Sequence, residues 1–588
     1  MLVLSTRCSR SCPPLRAALH RSLQHPPTAP TPLRRPLWRL PSSRSQSAFS
    51  TSTAPPFRVA IIGSGPAAFY TASRIQRLIP FSAIDMYEQL PTPFGLVRYG
   101  VAPDHPEVRH CETKLDEVAA HTFSGRDGAS SEAVGFEFVG NVKVGRDVSL
   151  LEMRGAYDAI VLAYGASQDR RLGIPGENLS GVTSARAFVG WYNGLPEFRT
   201  WDPSLLTRGN SVVIVGQGNV SLDIARILLG GVDALRGTDM PEYALEALSR
   251  STVRRVHIVG RRGLFQLACT LKELRELLEL QTCAFTGMHP FERWRKVAKV
   301  GRARTRMHHR LADGSAMVPT AARKKWSLDF MLAPACFNAR QRIEDGGQIG
   351  PDSPAEIRDL VGVDFEKTEF ANEEEEDRIR EDARVVGTGN YRSIEAQLAF
   401  RSIGYNAEAL PGFEELGIDF DTRTGTVKNF HGRALAKTQP AESDNEEARA
   451  RSVPEAVPGF YTAGWCKRGP TGVIASTMMD AFDTAETIAA DWTKNQPFLN
   501  GKRKQRLDSG VDLGGWTGGA AAGGGGGGLK QLVQEQRGVQ VVNWRRWKRI
   551  DEEERERGRR KGKAREKITD VAEMLEVADR KVQFVGVG

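Results

Sequence analysis

Two short glycine-rich turns, each placed between an apolar run and a helical pattern, constrain the fold of this chain most strongly. They are GSGPAA at residues 63–68 and GQGNVS at residues 216–221. In such a turn the first glycine permits a tight bend, the second lets the backbone approach a pyrophosphate, and a small third residue lets the helix pack on the strand. The sequence therefore predicts an α/β fold of two nested, Rossmann-like, doubly wound dinucleotide-binding domains.

In each predicted domain, the residue that ends or follows the second strand indicates which dinucleotide the site prefers. The run AIDMYE ends in Glu88, which is suited to accept hydrogen bonds from ribose hydroxyls. The run VHIVG ends instead in Arg261 and Arg262, and guanidiniums form charge-assisted hydrogen bonds with a 2′-phosphate. We therefore expect FAD at the first site and NADPH at the second. The alternatives are a purely structural glycine turn and a solvated arginine pair in a loop.

A third stretch predicts that the FAD domain is discontinuous. Residues 458–480 contain a strand pattern (GFYTAGW), a Gly/Pro turn and then a helix beginning near Val473. The free N–H groups of a helix N-terminus suit flavin carbonyls or phosphates. Because this stretch lies nearly 400 residues after Gly63, the NADPH domain is expected to be inserted within the FAD domain.

The cysteines argue against redox chemistry by the chain itself. None of the seven is part of a Cys-x-x-Cys motif. A disulfide framework, a zinc site or an iron–sulfur site of clustered cysteines is therefore not expected, and no metal site is predicted. The cysteines are Cys8, Cys12, Cys111, Cys269, Cys283, Cys336 and Cys466.

The first 56 residues carry most of the excess positive charge. Eight of the 81 basic residues but none of the 71 acidic residues lie in this segment, which is also rich in Ser. This composition predicts a mitochondrial presequence, with a basic arm as the alternative. Because the remaining chain is nearly neutral, nucleic acid is not a predicted partner. No run approaches the roughly 18 apolar residues of a membrane span.

Several long motifs resemble one family. They are GSGPAAFYTA, PFGLVRYGVAPDHPEV (93–108), ARAFVGWYNGLPE (185–197), GQGNVSLDIARILL, IVGRRG, LKELRELL (271–278) and GWCKRGPTGVI. These motifs are similar to those of the mitochondrial NADPH:ferredoxin (adrenodoxin) reductases from about residue 57 to about residue 495. The resemblance implies an enzyme that takes a hydride from NADPH and passes single electrons to an acidic mitochondrial 2Fe–2S ferredoxin.

The resemblance also implies site residues. In addition to Gly63 and Gly65, FAD contacts are expected at Ala67, Glu88, Leu96, Val144, Trp465, Gly472, Val473 and Ile474. NADPH contacts are expected at Gln217, Gly218, Asn219, Val220, Arg261, Arg262, Glu273 and Gly472. His105 and Asp223 match a family pair that couples the flavin domain to the ferredoxin-docking region. The alternative for His105 is a turn-stabilising role.

A basic stretch is the predicted docking surface for the ferredoxin. Residues 291–310 hold eight Lys or Arg and one acid, and the resemblance implies partner contacts at Arg275, Arg302, Arg304 and Arg306. The alternative is a solvated basic helix. A nucleic-acid surface is disfavoured because aromatic residues do not interleave with the charges.

The domain prediction divides the chain into successive segments. These are a presequence (1–56), an N-terminal segment of the FAD domain (57–170), the NADPH domain (171–399) with an acidic surface insertion (343–382), a returning segment of the FAD domain (400–500), a flexible Gly-rich linker (501–528) and a C-terminal segment on the FAD domain (529–588). Within the last segment, RRWKRIDEEERERGRRKGKAREK predicts a solvated helix. We expect a monomer in the mitochondrial matrix. Attachment to the matrix side of the inner membrane and the pathway that consumes the electrons stay open.

Three rival functions are weaker. A pyridine-nucleotide disulfide reductase would need a cysteine pair beside the flavin. An NADPH-feeding subunit of an amidotransferase-type enzyme would carry cysteine clusters for iron–sulfur centres. A basic binding module would not need Glu88, the arginine pair or intact glycine turns.

Overall fold

The structure is a computed structural model. It describes residues 56–123, 135–289, 301–341, 358–372, 380, 382–437, 455–472, 474–499 and 526–580. The predicted presequence up to residue 55, the Gly-rich linker up to residue 525 and the first half of the basic stretch lie outside these residues.

The strands have the following bounds in chain order. They are β1 Phe57–Ile62, β2 Ser82–Tyr87, β3 Gly135–Val139, β4 Ala159–Leu162, β5 Gln168–Asp169, β6 Val182–Ser184, β7 Ser211–Val215, β8 Arg255–Gly260, β9 Cys283–His289, β10 Lys324–Phe330, β11 Leu332–Gln341, β12 Arg358–Phe370, β13 Val385–Glu395, β14 Leu398–Arg401, β15 Tyr405–Asn406, β16 Phe420–Asp421, β17 Thr426–Val427, β18 Asn429–Phe430, β19 Arg433–Leu435 and β20 Ala456–Thr462.

The helices are numbered in the same way. They are α1 Pro66–Leu78, α2 Leu96–Tyr99, α3 Pro106–Arg109, α4 Cys111–Phe123, α5 Leu150–Ala156, α6 Ala185–Tyr192, α7 Asn219–Leu229, α8 Val232–Leu235, α9 Glu242–Ser249, α10 Leu271–Glu279, α11 Arg302–Asp313, α12 Trp465–Arg468, α13 Ile474–Thr493, α14 Gly526–Gln531, α15 Trp544–Arg560 and α16 Val571–Asp579. Among the described residues, no helix is both long and apolar enough to cross a membrane.

Two largely parallel sheets form the predicted nested α/β architecture. The first has the order β18-β19-β20-β4-β1-β2-β3, and the second has the order β6-β14-β7-β8-β10-β9. The central strands are continuous apolar runs such as SVVIV in β7, all of it buried. Such runs are typical of parallel strands covered on both faces by helices. The predicted fold class is confirmed.

The chain crosses between the sheets through one short ribbon. The chain leaves the first sheet after β4 and passes through β5 to the second sheet. It returns after β14 through β15, and β5 and β15 pair antiparallel. β20 then completes the first sheet beside β4, so residues far apart in sequence share one sheet. β14 still belongs to the second sheet, so the expected boundary at residue 400 falls inside a strand.

The segment predicted as an acidic surface insertion contains a buried strand. β12 is the central strand of an antiparallel sheet with the order β11-β12-β13. Val363 and Phe365, two positions apart on one strand face, are fully buried against a cluster that includes Val213 and Val259 of the second sheet. The prediction of a surface segment is therefore wrong for residues 358–370, since their alternating apolar pattern covers the second sheet.

The C-terminal segment packs on the first sheet. α15 is helical as predicted, but the prediction that it is solvated is wrong. Trp544, Trp547 and Ile550 are buried at helical spacing in a core cluster with Phe94 and Phe138 of the first sheet's domain. The mixed charges that suggested a solvated helix occupy its other faces. Arg559, for example, pairs with Glu556 at the surface.

Candidate functional site

The first glycine turn has the geometry that a pyrophosphate requires. Gly63 has φ +101°, and a Cβ there would meet the carbonyl oxygen of Ala163 at 2.5 Å, so only glycine fits. Gly65 caps α1 without a side-chain hydrogen bond, and nothing lies within 4 Å of where its Cβ would be. Gly65 therefore leaves open space beside the start of α1, which suits a phosphate group.

Glu88 follows β2 directly and lies beside this turn. Its carboxylate accepts hydrogen bonds from the Ser64 backbone (3.1 Å), the Ser64 hydroxyl (2.6 Å) and the Leu90 backbone (3.1 Å). Burial raises the pKa of Glu88, although these hydrogen bonds oppose the rise. The carboxylate is thus held at the carboxyl edge of the first sheet, where it suits a ribose hydroxyl.

Residues 463–472 follow β20 and meet the first turn from the returning half of the domain. A Cβ on Gly464 would lie 2.7 Å from the Ala67 Cβ, so the two segments approach as closely as backbone allows. The predicted strand ends at Thr462 rather than Trp465. Trp465 starts α12, and its ring stacks on Tyr405 with 6.2 Å between centroids.

The remaining predicted flavin contacts lie around the same edge. Leu96 starts α2 and is 38% exposed, whereas Val144 is buried and forms a bridge with Val148. Gly472 has φ +82° and directly precedes the region where α13 begins at Ile474. Val473 lies outside the described residues. The structure thus gathers the described members of the predicted FAD set on one edge of the first sheet.

The second glycine turn repeats the arrangement at the second sheet. Gly216 has φ +122°, and a Cβ there would meet the Ser402 carbonyl oxygen at 2.1 Å, whereas Gly218 faces open space. Gly218 caps α7 without a side-chain hydrogen bond. The Gln217 amide donates to two strand carbonyls, and Asn219 Oδ1 accepts from the Thr270 backbone at 2.7 Å.

Arg261 and Arg262 stand directly after β8, at the carboxyl edge of the second sheet. Their backbone carbonyls accept hydrogen bonds from the Thr368 hydroxyl (2.7 Å) and the Met331 backbone (3.2 Å), respectively. Burial and the neighbouring Arg261 charge lower the pKa of Arg262. Two guanidiniums held close together are stabilised by a dianion, and a 2′-phosphate fits that requirement.

A network of charged side chains joins the two domains between the two sites. Arg226 of α7 lies at its centre and is 5% exposed. Its guanidinium reaches Asp104 of the first domain (2.5 Å) and, within the second domain, Asp223 (2.7 Å) and Glu273 (3.3 Å). With His105 and Glu276, these residues form what we call the interdomain network.

His105 and Asp223 both belong to this network but do not bond to each other among the described contacts. His105 Nε2 lies 2.7 Å from Glu276 and 3.8 Å from Glu273. These three residues could in principle ligate a metal, since their ligand atoms lie within 4.8 Å of one another. Arg226, however, contacts both glutamates and supplies the positive charge that a metal would bring. The predicted pair is therefore linked through Arg226 and its acidic neighbours.

The network holds its acids in different states. Burial raises the pKa of Asp223 to about 6, against the lowering effect of Arg226. Burial also acts to raise the pKa of Asp104, but the hydrogen bond and charge of Arg226 outweigh it and hold that pKa below its usual value. One carboxyl of the network therefore gains a proton in mildly acidic solution while its neighbour stays charged.

The predicted partner-binding arginines lie on two adjacent helices of the second domain. Arg275 is exposed on α10, and Arg302 and Arg306 are exposed on α11. Arg304 is half-buried and lines a cavity of about 240 Å³ with residues of the 264–271 loop. The helices are joined by an Arg310–Glu279 ion pair at 3.6 Å. Arg302 and Arg306 are four residues apart and share one exposed face of α11, whereas Arg304 lies on the side that faces the cavity.

Three of the six members of the interdomain network (Asp104, Arg226 and Glu276) and the buried charges of the C-terminal segment escape prediction from the sequence. Arg226 lies inside the quoted LDIARIL helix, where a charge on an otherwise apolar face was the available signal. For the pair between Arg98 and Glu554 no local signal exists, because 456 residues separate the partners.

Two dinucleotide-binding domains that meet along one charged interface define an FAD- and NADPH-dependent oxidoreductase. The pyridine nucleotide-disulphide oxidoreductase family matches residues 57–279. The five described cysteines are free. The chain belongs to the NADPH:adrenodoxin oxidoreductase family, as its relatives along nearly the whole length show.

The relatives cover both domains. The mitochondrial NADPH:adrenodoxin oxidoreductase of Homo sapiens is 37% identical over 559 residues, which are 92% of this chain and 96% of the human protein. The Drosophila melanogaster protein of the same name is 38% identical, over 90% of this chain and 94% of its own. Among solved structures, Mycobacterium tuberculosis FprA in complex with NADPH is 30% identical with a TM-score of 0.68, covering 89% of this chain and 99% of FprA.

Proposed function

We propose that this flavoenzyme passes the electrons of NADPH one at a time to an acidic 2Fe–2S ferredoxin in the mitochondrial matrix. The observation that carries the proposal is the set of exposed arginines Arg275, Arg302 and Arg306 on the adjacent helices α10 and α11, with Arg304 half-buried between them. α10 also bears Glu273 and Glu276 of the interdomain network, so Arg275 lies on a helix of the domain interface. The names of the relatives, which are mitochondrial and refer to adrenodoxin, support the same acceptor and compartment.

The proposed cofactor contacts follow the two glycine turns. The start of α1, Glu88 and the 464–474 segment bind FAD, with Ala67, Leu96 and Val144 around it. The start of α7 and the arginine pair bind NADPH, with Gln217 holding the turn against the sheet. Bound FAD would supply the conversion of the two-electron hydride of NADPH into the single electrons that a one-electron acceptor needs.

The chain's own contribution is placement and charge. Because both glycine turns lie at the carboxyl edges of their sheets, each sheet presents its cofactor at the same kind of edge. Arg226 and its acidic partners connect α7, which holds the nucleotide, to residues 104–105 of the FAD domain. The network therefore links nucleotide binding to the orientation of the two domains.

The deciding experiment is NADPH-dependent reduction of cytochrome c by the purified holoenzyme, with and without a mitochondrial 2Fe–2S ferredoxin. We expect the ferredoxin to raise the rate at least about tenfold, because it carries single electrons from the flavin to cytochrome c. The same ferredoxin without its cluster is the matched control and should have no effect. Equal rates with and without the intact ferredoxin would refute the proposed acceptor.

A further inference from the structure

A buried lysine of the C-terminal segment joins the two domains. Lys567 Nζ donates hydrogen bonds to the carbonyl of Arg98 in the FAD domain (3.0 Å) and to the carbonyl of Asn193 in the NADPH domain (2.9 Å). It also pairs with Asp239 of the NADPH domain at 2.8 Å, and its side chain is 1% exposed. The amine of Lys567 therefore bonds to acceptors on both sides of the interface, although burial and the charges of Arg109 and Arg98 lower the pKa of Lys567.

The backbone that carries Lys567 is fixed on the FAD domain. Glu554 of α15 is fully buried and pairs with Arg98 (2.6 Å) and Arg565 (2.8 Å), and it accepts the backbone N–H of Ile568 (3.0 Å). One carboxylate therefore holds a residue on each side of Lys567. The lysine extends from this fixed position to the NADPH domain.

A second cation strengthens the same contact. Arg109 of the FAD domain donates to Asp239 and Asn193 of the NADPH domain and to the carbonyl of Val101. We call Arg98, Arg109, Asn193, Asp239 and Lys567 the C-terminal junction. It is more deeply buried than some members of the interdomain network, in which the side chain of Glu276 is 30% exposed.

The reaction requires such a junction because the cofactors belong to different domains. The chain connects the two sheets only through the β5–β15 ribbon among the described strands, so side chains must fix the angle between the domains. Hydride transfer needs the reacting atoms at about 3–3.5 Å, and a misplacement of about 1 Å costs roughly 10²-fold in rate.

We propose that Lys567 is a positioning residue for hydride transfer, which sets the relative orientation of the two cofactor domains through the C-terminal junction. The lysine touches neither proposed cofactor site. Its effect should therefore appear in the rate of flavin reduction and not in the affinity for nucleotide. The inference rests on the two cofactors and not on the ferredoxin.

Lys567→Met and Lys530→Met form a matched pair for the test. Lys530 is also a mostly buried lysine of the C-terminal segment, but its partners Asp85 and Glu137 both belong to the first sheet. In stopped flow with saturating NADPH and no ferredoxin, Lys567→Met should reduce its flavin about 10- to 100-fold more slowly than the wild type. Lys530→Met should differ less than about twofold. Both should bind NADP⁺ within about threefold of the wild-type Kd.

A distance measurement separates positioning from other causes of slow reduction. Spin labels carried by non-canonical residues at Leu151 on α5 and Tyr391 on β13, both exposed, report the distance between the domains. The distribution of distances between the two labels should broaden or shift in holo Lys567→Met. In holo Lys530→Met it should stay narrow. Wild-type distances together with a wild-type reduction rate in Lys567→Met would overturn the proposal.

A second variant keeps the test decisive if Lys567→Met fails to retain FAD. Asp239→Asn removes the charged partner on the NADPH domain and leaves Lys567 its two carbonyl acceptors. Like Lys567→Met, Asp239→Asn should slow flavin reduction and broaden the distribution of distances between the labels. Both effects should be smaller than those of Lys567→Met. If Asp239→Asn holds FAD and changes neither quantity, the C-terminal junction does not position the domains.

Discussion

Arg261 and Arg262 are the residues that we propose select NADPH over NADH. Changing both to Ala removes the charge partners of the 2′-phosphate. Charge-assisted hydrogen bonds contribute roughly 1.5–3 kcal/mol each, so kcat/KM for NADPH should fall on the order of 10²-fold or more. The value for NADH, which has no 2′-phosphate, should change little. Equal losses with both coenzymes would show that the pair supports the loop after β8 and does not bind phosphate.

Asp223 gives a pH-dependent prediction with a definite sign. Its pKa is raised from 3.8 to about 6 by burial, so the folded state binds this proton more tightly than the unfolded state. Ionised Asp223 therefore costs stability above pH 6, up to about 3 kcal/mol, and the cost vanishes below about pH 4. Asp223→Asn should raise Tm relative to the wild type at about pH 8, and the difference should shrink as the pH falls to about 4. A constant difference across that range would contradict the assignment.

The sequence predicts those residues that a short neighbouring pattern marks, and it misses those that only the fold brings together. The glycine turns, Glu88 and the arginine pair each follow an apolar strand, and that local pattern alone determines their place at a sheet edge. The C-terminal junction has no such pattern. Arg98, Asn193 and Lys567 come from three distant segments, and each resembles an ordinary surface residue until the fold brings them together.

At the scale of single elements, α11 is the helix whose charge should steer the partner. Reversing Arg302, Arg304 and Arg306 to Glu should slow ferredoxin-dependent cytochrome c reduction strongly at low salt, since electrostatic attraction acts mainly on the association rate. The defect should narrow as salt rises, because the screening length is only about 8 Å at about 0.15 M ionic strength. Reduction of a small neutral quinone should be nearly unchanged. If both activities fall equally, α11 supports the fold instead.

α15 shows how a fully buried charge on a helix differs from a partly exposed neighbour. Glu554 is fully buried between Arg98 and Arg565. The side chain of Glu553, which pairs with Arg557, is 24% exposed. Glu554→Gln leaves the buried guanidinium of Arg98 without its paired carboxylate, while Arg565 keeps Asp551. The change should lower the free energy of unfolding by about 3–5 kcal/mol. Glu553→Gln should cost at most about 1 kcal/mol. Denaturant titration of the holoenzymes measures both, and equal losses would contradict the ranking.

The same contrast explains why the sequence predicts α15 as a helix but not as a buried helix. Its spacing of Trp544, Trp547 and Ile550 was available in the sequence, but the dense alternating charges around it concealed the apolar face. The β12 strand was concealed in a similar way. Its acidic residues alternate with Val363 and Phe365, and only the second sheet beneath supplies the reason for that alternation.

For the whole molecule, the two nested domains divide the work of one reaction. Each sheet supplies a turn for a dinucleotide, while the interdomain network and the C-terminal junction relate the two sheets. The charged character of both contacts matters, because ion pairs and hydrogen bonds fix an angle more specifically than an apolar interface does. The order β18-β19-β20-β4-β1-β2-β3 shows that the FAD domain is completed by strands that follow the NADPH domain in the chain.

The distribution of charge over the whole chain leads to the last prediction. Residues 1–56 contain eight arginines and no acid, and the core begins immediately afterwards, where Phe57 packs on Trp492 and Phe498. A reporter fused to residues 1–56 should enter the mitochondrial matrix, because Arg-rich, acid-poor leaders are typical import signals. The same leader with its eight arginines changed to Gln should leave the reporter in the cytosol. Cytosolic retention of the unchanged fusion, or import of both fusions alike, would refute the targeting role of these arginines.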